Sequence, residues 1–246
     1  MILRQFLHTD PIGISYLFGC GGKAAGAVVD PVGDIDRYLR AAQETGLRIL
    51  YVIDTHIHAD HLSAGPALAR AAEAPYVLFA EADAALPFLG LQDGEVLGLG
   101  NVTVKVLHTP GHTPEHMCLL VTDHTRAEEP WFVLTGHTLM VGDLGRTELA
   151  SSAADGARVL FGSIQRLKGL PDYLEVLPGA YAGSVCGRRL SGKPVSTIGF
   201  ERRQNAAFAI CDEAEFVRTM TADVPLPPQD AARIRAVNAG KETRAA

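Results

Sequence analysis

Leu47-Arg48-Ile49-Leu50-Tyr51-Val52-Ile53-Asp54-Thr55-His56-Ile57-His58-Ala59-Asp60-His61 is the stretch from which the rest of the chain can be read. Apart from Arg48, its first seven residues are aliphatic, β-branched or aromatic, the composition of a buried strand. Where that strand runs out, three imidazoles and two carboxylates (Asp54 and Asp60) fall within eight positions. Residues two apart on an extended segment point to the same side, so His56 and His58 can converge on one point. Imidazole nitrogen suits Zn, Fe, Ni and Cu, and a nearby carboxylate adds hard oxygen ligation. Solvent exposure accounts for one histidine at a strand end. A cluster of this density reads as a metal site.

Moving toward the N-terminus, residues 2–8, 14–20 and 24–30 read as strands, with Gly21-Gly22 turning between the last two. Asp34 caps a helix in which Ile35, Leu39 and Ala42 share a face and which ends at Gly46. In the other direction, a helix is expected over 67–73, then strands over 76–80, 102–107, 117–122 and 131–134. An amphipathic helix over 153–168 sets Leu160, Ile164 and Leu167 on one stripe. A strand at 174–177, a Gly-rich loop and helices near 197–209 and 213–221 follow. Pro225, Pro227 and Pro228 close the compact part, giving one domain over 1–228 and a tail over 229–246. This order predicts an α/β fold of sheets packed together with helices outside.

The strand-then-ligand device recurs. The strand at 102–107 runs into Thr109-Pro110-Gly111-His112-Thr113-Pro114, which holds His112 on a stiff Pro/Gly turn. Trp131-Phe132-Val133-Leu134-Thr135-Gly136-His137 is a third instance, and Asp143 and Arg146 follow on a Gly-punctuated loop. Three strand ends tipped with metal-capable side chains are hard to explain by packing. His108 and His116 are read as outer-sphere or surface groups, and His8 and His124 as surface residues. Cys186 is read as a small buried hydrophobe before a reactive thiol.

Composition narrows the functional classes. The 246 residues are 47% hydrophobic and 20% charged, which suits an ordinary globular core. No apolar run reaches the roughly 20 residues of a membrane span. Arg4, Gln5, His8 and Asp10 deny residues 1–11 the apolar centre of a signal peptide, so a cytoplasmic protein is expected. Four scattered cysteines without a CxxC pair argue against a disulfide scaffold or zinc ribbon. A net charge of −6 disfavours general nucleic-acid binding and points to a small-molecule substrate.

These residues resemble the metallo-β-lactamase superfamily, whose HxHxDH signature stands at 56–61. Within it the chain is similar to the persulfide dioxygenases, themselves similar to glyoxalase II hydrolases. The blocks HTPGHTPEH, TGHTLMVGDLGRTEL and AGSVCGRRLSGKPVSTIGFERRQN carry the likeness together with the opening ISYLFG. It implies an αββα sandwich with the metal at one edge of the two sheets. It also implies that His56 and His112 ligate iron, that His58 matches a first-metal ligand of the zinc hydrolases, and that Asp60 and His61 match their second-metal ligands.

Two positions depart from the family pattern. The aspartate of its TGD triplet is His137 here, and the histidine of its P-x-H segment is Ala180, with no histidine beyond 137. A carboxylate can bridge two cations, whereas neutral imidazole offers one lone pair. The second site is thereby reduced to Asp60 and His61, vestigial or supporting. A mononuclear centre of His56, His112 and His137 survives, with His58 beside it, like the facial two-histidine, one-carboxylate arrangement of non-haem iron oxygenases with imidazole for carboxylate. The resemblance thus implies an Fe(II)-dependent persulfide dioxygenase that uses O2 to convert glutathione persulfide to sulfite and glutathione. Arg146 and Arg188 are the expected contacts to the anionic substrate. A one-zinc thioester or lactone hydrolase and a non-catalytic metal- or persulfide-binding member are the alternatives, and a homodimer is left open as an assembly.

Overall fold

A computed structural model describes residues 1–222, 224 and 226–242. Pro225 and the end of the tail, 243–246, lie outside the described residues. The first sheet is laid out in chain order: β1 (Ile2–Thr9), β2 (Ile12–Cys20), β3 (Ala25–Val29), β4 (Arg48–Ile53), β5 (Tyr76–Phe79) and β6 (Leu89–Leu91). β1 to β3 pair antiparallel and β3 to β6 parallel. Parallel neighbours need crossovers, and α1 (Asp36–Thr45) and α2 (Gly65–Ala71) supply those on either side of β4. In the second sheet β7 (Val96–Leu99), β8 (Val102–His108), β9 (Met117–Asp123) and β10 (Phe132–Gly136) form an antiparallel run. After a small hairpin of β11 (Leu139–Met140) and β12 (Asp143–Leu144), α3 (Ala153–Lys168) crosses over to β13 (Glu175–Pro178), which pairs parallel with β10. β14 (Ser196–Thr197) borders β13, and α4 (Ile198–Gln204), α5 (Ala206–Ala209), α6 (Glu213–Ala222) and α7 (Ala231–Asn238) complete the chain.

The sheets face each other across one core. Tyr16, Phe18 and Ile53 meet Val104, Leu119 and Phe132, with the Phe18 and Phe132 rings edge-on at 5.8 Å. β2 is buried on both faces, which explains a run that is apolar apart from Ser15. Tyr38 and Leu68 cover the outside of the first sheet, and Leu160, Ile164 and Leu167 cover the second. Each such buried side chain contributes roughly 1.5–3 kcal/mol. The architecture is the αββα sandwich expected. Among the described residues no helix is long and apolar enough to cross a membrane.

Some elements differ from the sequence reading. β6, β7 and β14 lie at or near sheet edges and are two to four residues long, too short for alternation to register. The helix expected over 197–209 is two, because Asn205 turns extended and its side chain accepts from Phe208 N–H to cap the second. His8 is buried at 6% exposure, not a surface residue. Arg37 can only donate to its Nδ1, at 2.9 Å, which leaves Nε2–H to donate to Ser15 Oγ at 2.9 Å.

Burial, aided by the Arg37 charge, brings the His8 pKa down to about 4. In the unfolded chain it titrates near 6.5. Folding therefore prefers the neutral ring. Its contribution is complete above pH 6.5 and is lost as pH falls toward 4, at up to about 1.4 kcal/mol per pH unit. Denaturant titrations across that window should give a shallower stability slope for His8→Gln than for the native chain; parallel profiles would refute this.

Candidate metal centre

Strand ends from both sheets deliver the chemistry. Asp30 follows β3, Asp54 to His61 follow β4, His112 sits in the turn between β8 and β9, and His137 follows β10. One nitrogen each of His56, His112 and His137 lies within 4.8 Å of the other two. All three are buried. Their ring centroids stand 4.8–5.2 Å apart.

Hydrogen bonds set which lone pairs face inward. Thr55 Oγ1 reaches Asp30 Oδ2 at 2.9 Å, and that hydroxyl lies 3.0 Å from His56 Nδ1. With the hydroxyl donating to the carboxylate, it accepts from Nδ1–H, and His56 Nε2 is left bare. His112 Nδ1–H donates to Arg146 O at 2.7 Å, so its Nε2 lone pair is likewise free. His56 Nε2 and both His137 nitrogens are buried with no hydrogen-bond partner. Orphaned buried acceptors are costly. A cation held by the three nitrogens would relieve that cost, so the donor set fits a metal ion.

Electrostatics agree. Burial, with the neighbouring His137, lowers the His112 pKa to about 3, and burial lowers that of His137 to about 4. Burial drives His56 well below its ordinary value, helped by His58. All three are neutral at pH 7, the state in which imidazole ligates.

A second cluster adjoins the first. His58, Asp60 and His61 gather their donor atoms within 4.8 Å, as do Asp60, His137 and Cys186. His58 stands outside the three-histidine group. Its Nε2 lies 3.3 Å from Asp30 Oδ1 and its Nδ1 3.7 Å from Asp60 Oδ1. Burial opposes its charge, but the two carboxylates outweigh burial and raise its pKa well above the ordinary value. Asp60 Oδ1 is 3.1 Å from His61 Nδ1, yet neither atom makes a directed hydrogen bond.

Glycines let the backbone close around the site. Gly136 has φ +49°, and a Cβ there would stand 2.5 Å from Thr55 Oγ1 and 2.6 Å from His116 Nε2. His116 is fully buried, so of its two readings the surface one fails. Its Nε2 accepts the His137 backbone N–H at 3.1 Å, which fixes its proton on Nδ1, toward the Thr109 and Thr138 hydroxyls.

Neither expected substrate arginine points its charge into this cluster. Arg146 is 5% exposed and its guanidinium engages Glu148, Val185 O and Leu226 O. What it gives the site is its carbonyl, which orients His112. Arg188 donates to Thr219 O and lines a surface cleft with Asp143, Arg189 and Thr219, away from the site histidines in lining. Asp143 accepts from the Arg188 and Arg189 backbone N–H groups at 2.6 and 2.9 Å, bracing that loop. Ala180 follows β13 and offers no ligand, and all four cysteines are unpaired. Asp30, Thr55 and Glu115 join the site without a metal-ligand motif of their own in the sequence. Asp30 had a signal: like His56, it stands at the tip of an apolar strand.

The sequence model of the metallo-beta-lactamase superfamily matches residues 9–179. The human protein named persulfide dioxygenase ETHE1, mitochondrial, is 27% identical over 232 residues, covering 93% of this chain and 84% of its own. A crystal structure of ETHE1 from Myxococcus xanthus is 30% identical, with TM-score 0.83, covering 98% of this chain and all of that one. A metallo-beta-lactamase structure from Staphylococcus aureus is 35% identical, with TM-score 0.93, covering the whole of this chain and 74% of that one.

Proposed function

The chain belongs to the metallo-beta-lactamase superfamily, and we propose that it is an Fe(II)-dependent persulfide dioxygenase that converts glutathione persulfide, O2 and water to sulfite and glutathione. The observation that carries this reading is likeness to persulfide dioxygenases along 93% of the chain, joined to three buried imidazoles whose free nitrogens converge.

His56, His112 and His137 would hold the iron, which when bound supplies the redox coupling between the substrate sulfur and O2. The Asp30–Thr55–His56 relay and the Arg146 carbonyl keep two of those rings turned inward, as partners of metal-bound histidines do. Three neutral donors leave more positive charge on the cation than a carboxylate ligand would, which favours an anionic persulfide. Asp60, with both oxygens free of directed hydrogen bonds, would stand beside the metal and orient the neighbouring imidazoles and water. Four unpaired cysteines suit the reducing cytoplasm as the compartment.

The test is O2 uptake and sulfite release by Fe(II)-loaded protein supplied with glutathione persulfide. Uptake well above a free-iron blank is expected. Uptake equal to the blank defeats the proposal, and oxygen-independent hydrolysis of S-lactoylglutathione by zinc-loaded protein would put a hydrolase in its place.

A further inference from the structure

Residues 56–61 carry His56 of the three-histidine set and all of the adjoining His58, Asp60, His61 cluster, yet among the described residues they form no backbone–backbone hydrogen bond. Their backbone is held by side chains instead. Asn238, 7% exposed at the end of α7, donates from Nδ2 to His58 O at 2.9 Å and to His61 O at 2.8 Å. Its Oδ1 accepts the Ser63 N–H at 3.0 Å, so both donor hydrogens and the carbonyl are engaged. One turn earlier, Arg235 donates to Ile57 O at 2.8 Å and grips Glu115 with both terminal nitrogens, at 3.2 and 3.1 Å. Glu115, itself buried, accepts the Ile57 N–H at 2.8 Å. Both backbone polar groups of Ile57, the residue between His56 and His58, are thus pinned. The helix is anchored in turn, because Ala239 O accepts from Ala85 N–H at 2.7 Å.

From this geometry we infer that α7, which lies beyond the family-matched segment, is a positioning element for the metal loop, with Asn238 and Arg235 as its positioning residues. The inference rests on the reading that the site histidines hold a cation. A carboxamide clamped on the His58 and His61 carbonyls fixes where those side chains begin. Small displacements of supporting groups degrade ligand geometry out of proportion to their size. The described part of the segment set apart in the sequence as a tail, 229–242, therefore contributes to the centre.

The experiment uses full-length protein loaded with Co(II), whose visible absorption reports ligand geometry. Asn238→Asp keeps the shape and the acceptor for Ser63 N–H, but sets an oxygen against two carbonyls. It should weaken Co(II) binding about 10–100-fold and alter the spectrum. In the metal-free protein, exchange of the Ile57 and Ser63 amides should quicken at least about tenfold while that of β4 does not. Arg235→Lys, which keeps one charged donor, should retain more affinity than Arg235→Met, and these variants carry the test if Asn238→Asp fails to fold. Lowered thermal stability with unchanged affinity, spectrum and local exchange would overturn the inference and assign α7 a packing role alone. If the native protein binds no Co(II), the metal-centre reading fails, and the exchange result alone decides whether α7 holds the loop.

Discussion

Replacing His137 by alanine should give a folded protein that no longer keeps a transition-metal ion through dialysis against a chelator. Among the described residues three neutral nitrogens converge here, and His137 brings one of them with no competing hydrogen bond on either ring atom. Loss of a group that merely supports a ligand typically costs 10–100-fold in affinity, so loss of a ligand should cost more than about 100-fold. Elemental analysis before and after dialysis measures it. The control is His124→Ala, whose ring lies in a solvent-exposed pair with Glu128 and should change nothing. Retention of the ion by His137→Ala at the native level would refute a centre built on these three rings. His137→Asp is informative beside it. A carboxylate restores the residue that the family resemblance puts there and adds a negative charge, so binding should survive while the metal's reduction potential falls. If that variant alone is active, the native chain is a binding member and not an oxygenase.

The second large effect is expected at Gly111, immediately before His112. Its φ is +136°, and a Cβ there would lie 2.4 Å from Leu160 Cβ and 2.5 Å from Leu160 Cα. Leu160 is fully buried in α3 and its backbone cannot yield without shifting the helix. Strain at such a backbone position costs about 1–3 kcal/mol and overpacking a further 1–3. Gly111→Ala should therefore lose about 4 kcal/mol, or roughly 8–16 °C in melting temperature for a chain of this size, and should carry His112 off its place. Gly162→Ala is the counterpart. It lies in the same helix with nothing near its would-be Cβ and should be neutral or slightly stabilising. Melting temperatures within 2 °C of each other for the two variants would sink the argument.

Both predictions rest on features of unequal visibility in the sequence. The ligands are legible because each lies within a few residues of the end of an apolar strand, which carries it to the sheet edge. The helix over 153–168 is legible for a similar reason: a long periodic stripe, opened by Ser152, whose hydroxyl accepts from Asp155 N–H. What could not be read depends on partners far along the chain. His8 resembles a surface histidine until Ser15, Arg37 and Tyr38 close around it. Arg146 reads as a substrate arginine because its guanidinium is what sequence displays, whereas its carbonyl does the orienting. Asn238 lies 175 residues from Ser63, which no local pattern connects. His58 shows the limit most clearly. Alternation puts it on the same side as His56, but Asp30 from the neighbouring strand draws it aside.

His56 hangs from one sheet, and His112 and His137 from the other. An ion shared among them acts as a rivet through the sandwich. Its binding free energy then enters the stability of the entire fold, adding RT ln(1 + [M]/Kd), about 2.7 kcal/mol at a hundredfold excess of free ion over Kd. Depleting the metal that such a site holds would consequently register twice, once at the site itself and again as a chain easier to prise open and digest.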